Sequence, residues 1–283
     1  MKTLYLVDAM SQIYRAYFTP AADMRAADNE PTKATFIFMK ILLKILHTKT
    51  PDYLLVCFDA KRSSLFRTEL YPEYKATRGG NEGLDDLFVQ VSRIKQILKV
   101  IGVPVFKVNR FEADDLIAGA VNRFKNDVEC VMVSRDRDLD QLFERDRVSM
   151  FDPMTDTFRT VDDLEQQGYS AADVPLLKAL TGDNGDNIIG VEGIGPKRAL
   201  DLVKKYKTID EIFASLEDLP ESMQRRLEGE EARIRLNYQL VNLKQTNWSD
   251  CWGAWSLEDL RTEPIELKKA ALIFKALGFT RWT

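Results

Sequence analysis

Histidine is almost missing from this chain: His47 is the single one in 283 residues. The three cysteines, Cys57, Cys130 and Cys251, stand far apart with no ligand spacing. A zinc site built on His and Cys has nothing to work with here. An odd number of cysteines, mostly inside apolar runs, also argues against a disulfide framework and fits a reducing compartment. Long apolar runs are lacking as well. The stretch Phe36–Leu46 is broken by Lys40 and Lys44, which makes it an amphipathic helix and not a membrane span. Asp8 comes too early to leave room for a signal-peptide core. The expectation is a cytoplasmic protein without a membrane partner. Excess positive charge is missing too: 40 Lys and Arg against 44 Asp and Glu give a net charge of −4. The total alone therefore does not point to nucleic acid, and the local distribution matters more. Basic residues gather at 61–78 (Lys61, Arg62, Arg67, Lys75, Arg78) and at 197–207 (Lys197, Arg198, Lys204, Lys205, Lys207). Either cluster could be no more than a solvated helix face.

What is present is an alternation of short apolar runs and amphipathic stretches over the first 150 residues or so. Thr3–Val7, Tyr53–Phe58, Val103–Val108 and Val128–Val133 read as buried strands, with Val148–Asp152 as one more. Thr32–Thr48, Leu84–Ile101 and Ala113–Phe124 carry apolar residues at helical spacing. This rhythm predicts an α/β fold with a mostly parallel central sheet flanked by helices. Between 60 and 84 the pattern lapses into a basic, aromatic segment closed by Gly79-Gly80-Asn81-Glu82-Gly83. A connection of that length inside a compact domain is usually functional or mobile. After about residue 160 helices take over: 173–180, 196–206, 209–215, a charged one around 222–244, and 266–277. We therefore expect a sheet unit over 1–160 and a helical unit over 161–283, packed directly together. No repeat, low-complexity tract or long linker separates them.

Nine acids fall in five short clusters at the ends of strands or loops: Asp8, Asp59, Glu112-x-Asp114-Asp115, Asp136-x-Asp138 and Asp183-x-x-Asp186. The carboxyl ends of strands in an open α/β sheet line one crevice, where ligands bind. So many carboxylates in one place repel unless a multivalent cation holds them. An all-oxygen donor set points to Mg²⁺ or Mn²⁺, and a carboxylate-held metal pair is a recurrent solution to phosphodiester cleavage. Each cluster has a bland reading as well. Glu112 and Asp115 sit three apart at a helix start, where acids serve as caps. Asp136 and Asp138 share a face in a strand or grip jointly in a turn, and Asp183-Asn-Gly-Asp186 could be a plain Asx-rich turn. Their joint placement is the stronger signal.

The segment from Gly190 to Ala199 is of another kind. Gly190, Gly193 and Gly195 allow backbone N–H groups to approach an anion, Pro196 suits the first position of a helix, and Lys197 and Arg198 add charge. A helix, a glycine-rich hairpin and a second helix can hold a DNA backbone through phosphate contacts alone. A plain connection between helices remains the alternative.

Several strings together resemble the 5′-nuclease family, which includes phage 5′→3′ exonucleases, the N-terminal nuclease domain of bacterial DNA polymerase I, and flap endonucleases. They are Leu-Val-Asp8-Ala, Phe-Asp59-Ala-Lys61, Tyr71-Pro-Glu-Tyr-Lys75, Glu112-Ala-Asp-Asp115, Asp136-Arg-Asp-Leu139, Thr181-Gly-Asp-Asn-Gly-Asp-Asn187 and Gly190-Val-Glu-Gly-Ile-Gly195, in order over roughly residues 4–200. The resemblance implies a PIN-like nuclease core with an arch at 60–90 and a helix–three-turn–helix at about 185–206. It further implies two Mg²⁺ or Mn²⁺ ions per site. Asp8, Asp59, Glu112, Asp114, Asp115 and Asp136 would surround the first, and Asp138, Asp183 and Asp186 would serve the second. Lys75 and Arg67 would stand above the scissile phosphate. Lys61, Tyr74, Arg78, Lys178, Lys197, Arg198 and the hairpin glycines would meet DNA, with Tyr14 near splayed nucleotides and a K⁺ ion at the hairpin.

The implied activity is metal-assisted hydrolysis without a protein nucleophile, acting as 5′→3′ exonuclease and 5′-flap endonuclease in replication and repair. The implied partner is DNA with a 5′ flap or 5′ end at a single-strand/double-strand junction, RNA-primed ends included, and the implied state is a monomer. Two departures stand out: glycines at 79–83 where polymerase-type relatives often carry prolines, and Ile189 where a proline is common. With no polymerase domain in the sequence, the expectation is a stand-alone nuclease or an excised domain. The alternatives are a flap-binding protein that does not cut, a PIN-type ribonuclease, and a phosphoacceptor switch around one reactive Asp.

Overall fold

A computed structural model describes residues 1–77, 84–244, 252–253 and 255–282. Its centre is a six-stranded sheet in the order β3-β2-β1-β4-β5-β6. The strands are β1 (Thr3–Asp8), β2 (Tyr53–Cys57), β3 (Val105–Phe106), β4 (Glu129–Val133), β5 (Val148–Asp152) and β6 (Thr157–Arg159). All neighbours pair in parallel except β5 and β6, which form an antiparallel hairpin at one edge. The near-continuous apolar runs are explained by burial on both faces. Leu4, Leu6, Leu55, Cys130 and Met132 enter one core with helix α5 (Ala113–Phe124). Tyr5, Val7, Leu54, Val56, Val131 and Val133 enter the other, with α1 (Ala9–Phe18), α2 (Lys33–Thr48) and α4 (Asp85–Val100). Strand order reverses between β1 and β4, so their carboxyl ends open a crevice at the switch point.

The mostly parallel sheet flanked by helices agrees with the sequence expectation, and α5 and β5 have the expected limits. Other elements differ. Helix α1 was not anticipated: it starts directly after β1 with Asp8 as its N-cap, accepting the Ser11 N–H at 3.0 Å. The strand expected over 103–108 shrinks to Val105–Phe106. The edge strand β6 lacks an apolar signal because its side chains are largely exposed. The segment after β2 contains a short helix, α3 (Phe66–Leu70). Arg78 and the glycine run 79–83 lie outside the described residues.

The second part is helical. Helices α6 (Val161–Gln166) and α7 (Val174–Thr181) lead to a two-stranded hairpin, β7 (Gly182–Asp183) and β8 (Ile188–Ile189). Helix α8 (Pro196–Lys205) follows, with Gly195 as N-cap and Pro196 in its first turn. The charged helix expected around 222–244 is two helices, α10 (Glu221–Leu227) and α11 (Glu231–Val241), after α9 (Ile209–Ala214). Gly229, at φ +76°, breaks them, as a left-handed glycine does after a helix end. The helix expected over 266–277 begins as a 3₁₀ turn, Leu267–Ala270, before Ala271–Ala276. A small apolar cluster of Ala60, Leu65, Tyr74, Ile188, Leu240 and Val241 joins the segment after β2 to the helical part.

Candidate active site

The acids singled out in the sequence lie at or just past the ends of β1, β2 and β4, at the start of α5, and in the β7–β8 hairpin. Asp8 ends β1 and is 7% exposed. One of its oxygens caps α1 and the other accepts the Ser134 hydroxyl, at 2.9 Å, across from β4. Asp59, just past β2, accepts the Ala113 N–H at 2.7 Å and so helps to start α5. Glu112 is the N-cap of that helix and forms a capping box with Asp115. Glu112, Asp114 and Asp115 each present an oxygen within 4.8 Å of one another. The Asp136–Asp138 pair lies in a 3₁₀ turn (residues 137–142), where Asp136 caps by accepting the Asp138 N–H at 2.9 Å. Asp183 accepts from the Gly185 and Asp186 N–H groups, at 2.8 and 3.2 Å.

Among the described residues, three cations bond these carboxylates. Arg67 is the most deeply set, 1% exposed. It grips Asp115 at 2.6 and 2.7 Å, reaches Glu112 at 3.0 Å, and donates its Nε to the Leu240 carbonyl at 2.7 Å. Lys75, held at φ +54° with its N–H on the Asp186 carbonyl, pairs with Glu112 and lies 3.6 Å from Asp186. Lys178 bridges Asp138 and Asp183, the latter at 2.8 Å. The Tyr74 hydroxyl stands 2.8 Å from Glu112 and 2.9 Å from Asp186.

The crowding of these acids shows in their proton affinities. Burial, with the charges of Asp59 and Asp136, pushes the Asp8 carboxyl up to about 7. Burial, with Asp115 and Glu112 alongside, pushes Asp114 well above the usual carboxylate range. Burial opposes the charge on Glu112 too, yet Lys75 and Arg67 hold it below its ordinary value. Lys178 does the same for Asp183. Reluctant, crowded carboxylates with an oxygen-only donor set fit hard divalent cations, whose charge would relieve the repulsion.

Arg67 and Tyr74, expected beside the scissile phosphate and a nucleotide, are 1% and 2% exposed and face the carboxylates and the core. Lys178, expected along a DNA path, is engaged with two acids. Lys61, Lys197 and Arg198 are exposed, and Arg198 also donates to the Gly193 carbonyl at 2.7 Å. Tyr14 is half-buried and stacks on Phe18. Gly190 has a structural reason: a Cβ there would lie 2.3 Å from the Thr181 carbonyl. Three contributors were missed: Ser134 behind Asp8, Arg226 against Gly193, and Asn237, which ties α7 to β8 through the Ala179 and Ile189 carbonyls. Only Ser134, at a strand end, carried any sequence signal.

An oxygen-only acidic crevice at the switch point of an open sheet is the architecture of a divalent-metal phosphoesterase. Comparison with known proteins narrows the class. Residues 3–170 match the model of the 5′-3′ exonuclease N-terminal resolvase-like domain, and residues 169–268 that of the 5′-3′ exonuclease C-terminal SAM fold. The chain belongs to the 5′-3′ exonuclease family. It is 36% identical to DNA polymerase I of Caldicellulosiruptor bescii over 283 residues, 98% of this chain and 32% of that protein. It therefore spans about a third of that relative. It is 33% identical to the 5′-3′ exonuclease of Aquifex aeolicus over 271 residues, 95% of this chain and 90% of that one. Among solved structures, T5 5′-exonuclease with divalent metal ions (zinc) bound is similar, with a TM-score of 0.74 and 25% identity over 98% of this chain and all of that one.

Proposed function

We propose that this chain is a structure-specific 5′ nuclease that hydrolyses phosphodiester bonds of DNA at a 5′ end or 5′ flap next to a duplex. The observation that carries the proposal is the convergence of Glu112, Asp114 and Asp115 on one another, with Asp8 raised to about 7 by burial and by Asp59 and Asp136. In this reading Asp8, Asp59, Glu112, Asp114, Asp115 and Asp136 hold one Mg²⁺ or Mn²⁺, and Asp138, Asp183 and Asp186 hold or orient a second. Bound there, the ions supply an activated water and stabilise the leaving 3′-oxygen.

The chain's own groups do the rest. Ser134 and the α1 N-terminus fix both oxygens of Asp8. Arg67 positions Asp115 and Glu112 from behind. Lys75, 14% exposed at the edge of the acids, is the group placed to offset charge developing on the phosphate oxygens. The glycine hairpin with Lys197 and Arg198 holds the duplex backbone, with K⁺ on its carbonyls as part of the same proposal. Lys61 and Arg78 belong to the arch side.

The remaining particulars are proposed with it: action in replication and repair, tolerance of RNA-primed 5′ ends, a monomeric state and a cytoplasmic location. A division near residue 160 into nuclease core and helical part belongs to the same reading. No described helix is long and apolar enough to cross a membrane.

The test is incubation of a labelled 5′-flap duplex with the protein in Mg²⁺ and in EDTA. Cutting at or near the junction only in Mg²⁺ supports the reading. Binding without cutting would replace it with a flap-recognition protein, and cutting of the RNA counterpart alone with a ribonuclease.

A further inference from the structure

The run Ser134-Arg135-Asp136-Arg137-Asp138 alternates acids with arginines, and the two kinds face different spaces. Asp136 and Asp138 belong to the acidic crevice. Arg135 and Arg137 line a separate cavity of about 350 Å³ on the other side of the loop. Its far wall is the β5–β6 hairpin, where the cross-strand pairs Met150–Arg159 and Asp152–Thr157 put alternate residues on the cavity face. Ser134 belongs to both spaces: it lines this cavity while its hydroxyl holds Asp8.

The charges around this cavity do not cancel. Arg159 is fixed to buried Asp140 by two bonds of 2.9 Å and forms part of the wall. Asp152 is taken by Arg15 at 2.5 Å and by the Met154 N–H at 2.9 Å, with Arg135 more distant at 3.3 Å. Arg137 is exposed and has no hydrogen-bond or ion-pair partner among the described residues. Four arginines thus surround two carboxylates that already have partners. A merely solvated basic face would need neither the concavity nor the fixed walls. A guanidinium fork matches the oxygens of a phosphate group, and this cavity shares a loop with the acids that would bind metal.

We infer that the cavity holds a backbone phosphodiester of the DNA next to the bond being cut, with Arg137 as its principal ligand and Arg135 as the second. The inference rests on the nuclease reading above. It answers a problem that reading raises, because nine acids repel a polyanion and a local positive pocket offsets that repulsion on approach.

The experiment compares the wild-type chain with Arg137→Ala and with the double variant Arg135→Ala/Arg137→Ala. Affinity for a fluorescent 5′-flap duplex is measured in EDTA across a series of KCl concentrations. The single variant should lose affinity roughly tenfold, and the slope of log K against log salt should fall by about 1, or about 2 for the double variant. Both side chains are exposed, so melting temperatures should stay at the wild-type value. Duplexes with one neutral methylphosphonate at positions flanking the cut site locate the contact. One internal position should weaken the wild type and leave the double variant unaffected. Unchanged affinity and slope overturn the pocket, as does a loss confined to substrates with a terminal 5′-phosphate. Wild-type protein that does not bind the duplex overturns both readings, whereas wild-type binding with unaffected variants overturns the pocket alone.

Discussion

The guanidinium of Arg67 and the carboxylate of Asp115 form a two-bond fork, at 2.6 and 2.7 Å, with neither side chain more than 1% exposed. The same arginine donates to the Leu240 carbonyl of α11, so one side chain ties the segment after β2, the start of α5 and the helical part together. Its bonds and its burial suit it to setting the acids in place.

Removing it leaves a buried carboxylate without its partner. Arg67→Ala should lower stability by about 3–5 kcal/mol, visible as a large fall in Tm by calorimetry. Arg67→Lys keeps the charge and loses the fork, and should recover only part of the loss. A wild-type Tm for the alanine variant would show that the fork contributes little.

Lys75 is the complementary case, a cation at the edge of the acids, 14% exposed and paired with Glu112. Lys75→Ala should slow single-turnover cleavage by about 10²-fold while duplex affinity changes little. An equal loss in affinity and in rate would place Lys75 in DNA binding instead.

The hairpin offers a steric test. Gly190→Ala puts a methyl 2.3 Å from the Thr181 carbonyl, and neither backbone can move without disturbing β7 and β8. The cost should be about 1–3 kcal/mol, with weaker duplex binding as a second readout. Gly195→Ala meets open space and serves as the control for stability, with Tm close to wild type.

How much of this was legible in the sequence differs by residue. Apolar runs buried on both faces declared β1, β2 and β4, and the acids at their ends marked the crevice before any geometry. Arg67 could not be read as buried, because a charged residue in a basic stretch looks like surface. Its partners Asp115 and Leu240 lie 48 and 173 positions away, and only the fold brings them together. Helix α1 was hidden because the strand's apolar run passes directly into it at Asp8. The break between α10 and α11 was carried by Gly229 alone, within an otherwise helical charge pattern. Arg135 and Arg137 carry no signal in the sequence, because only the β5–β6 hairpin completes the cavity they line.

Stability should carry a pH signature at Asp173, where α7 begins. Burial opposes its charge, but the Ser170 N–H and hydroxyl and Lys207 hold its carboxyl below the ordinary value of 3.8. A folded-state value below the unfolded one stabilises the protein above that pH, and the gain is lost as pH falls through the folded value. Asp173→Asn should therefore cost about 1 kcal/mol at pH 7. The gap to wild type should close as the pH drops below 3.8. A gap that persists in acid would assign the effect to packing instead of charge.

Metal-dependent cleavage should depend on the convergent carboxylates. The most direct test is single-turnover cutting of a 5′-flap duplex in Mg²⁺ by wild type and Asp114→Asn, with duplex affinity measured in parallel. Asp114 is crowded by Asp115 and Glu112, and losing its charge should lower the rate by about 10³-fold or more with affinity retained. Cutting by the variant at the wild-type rate would contradict the account.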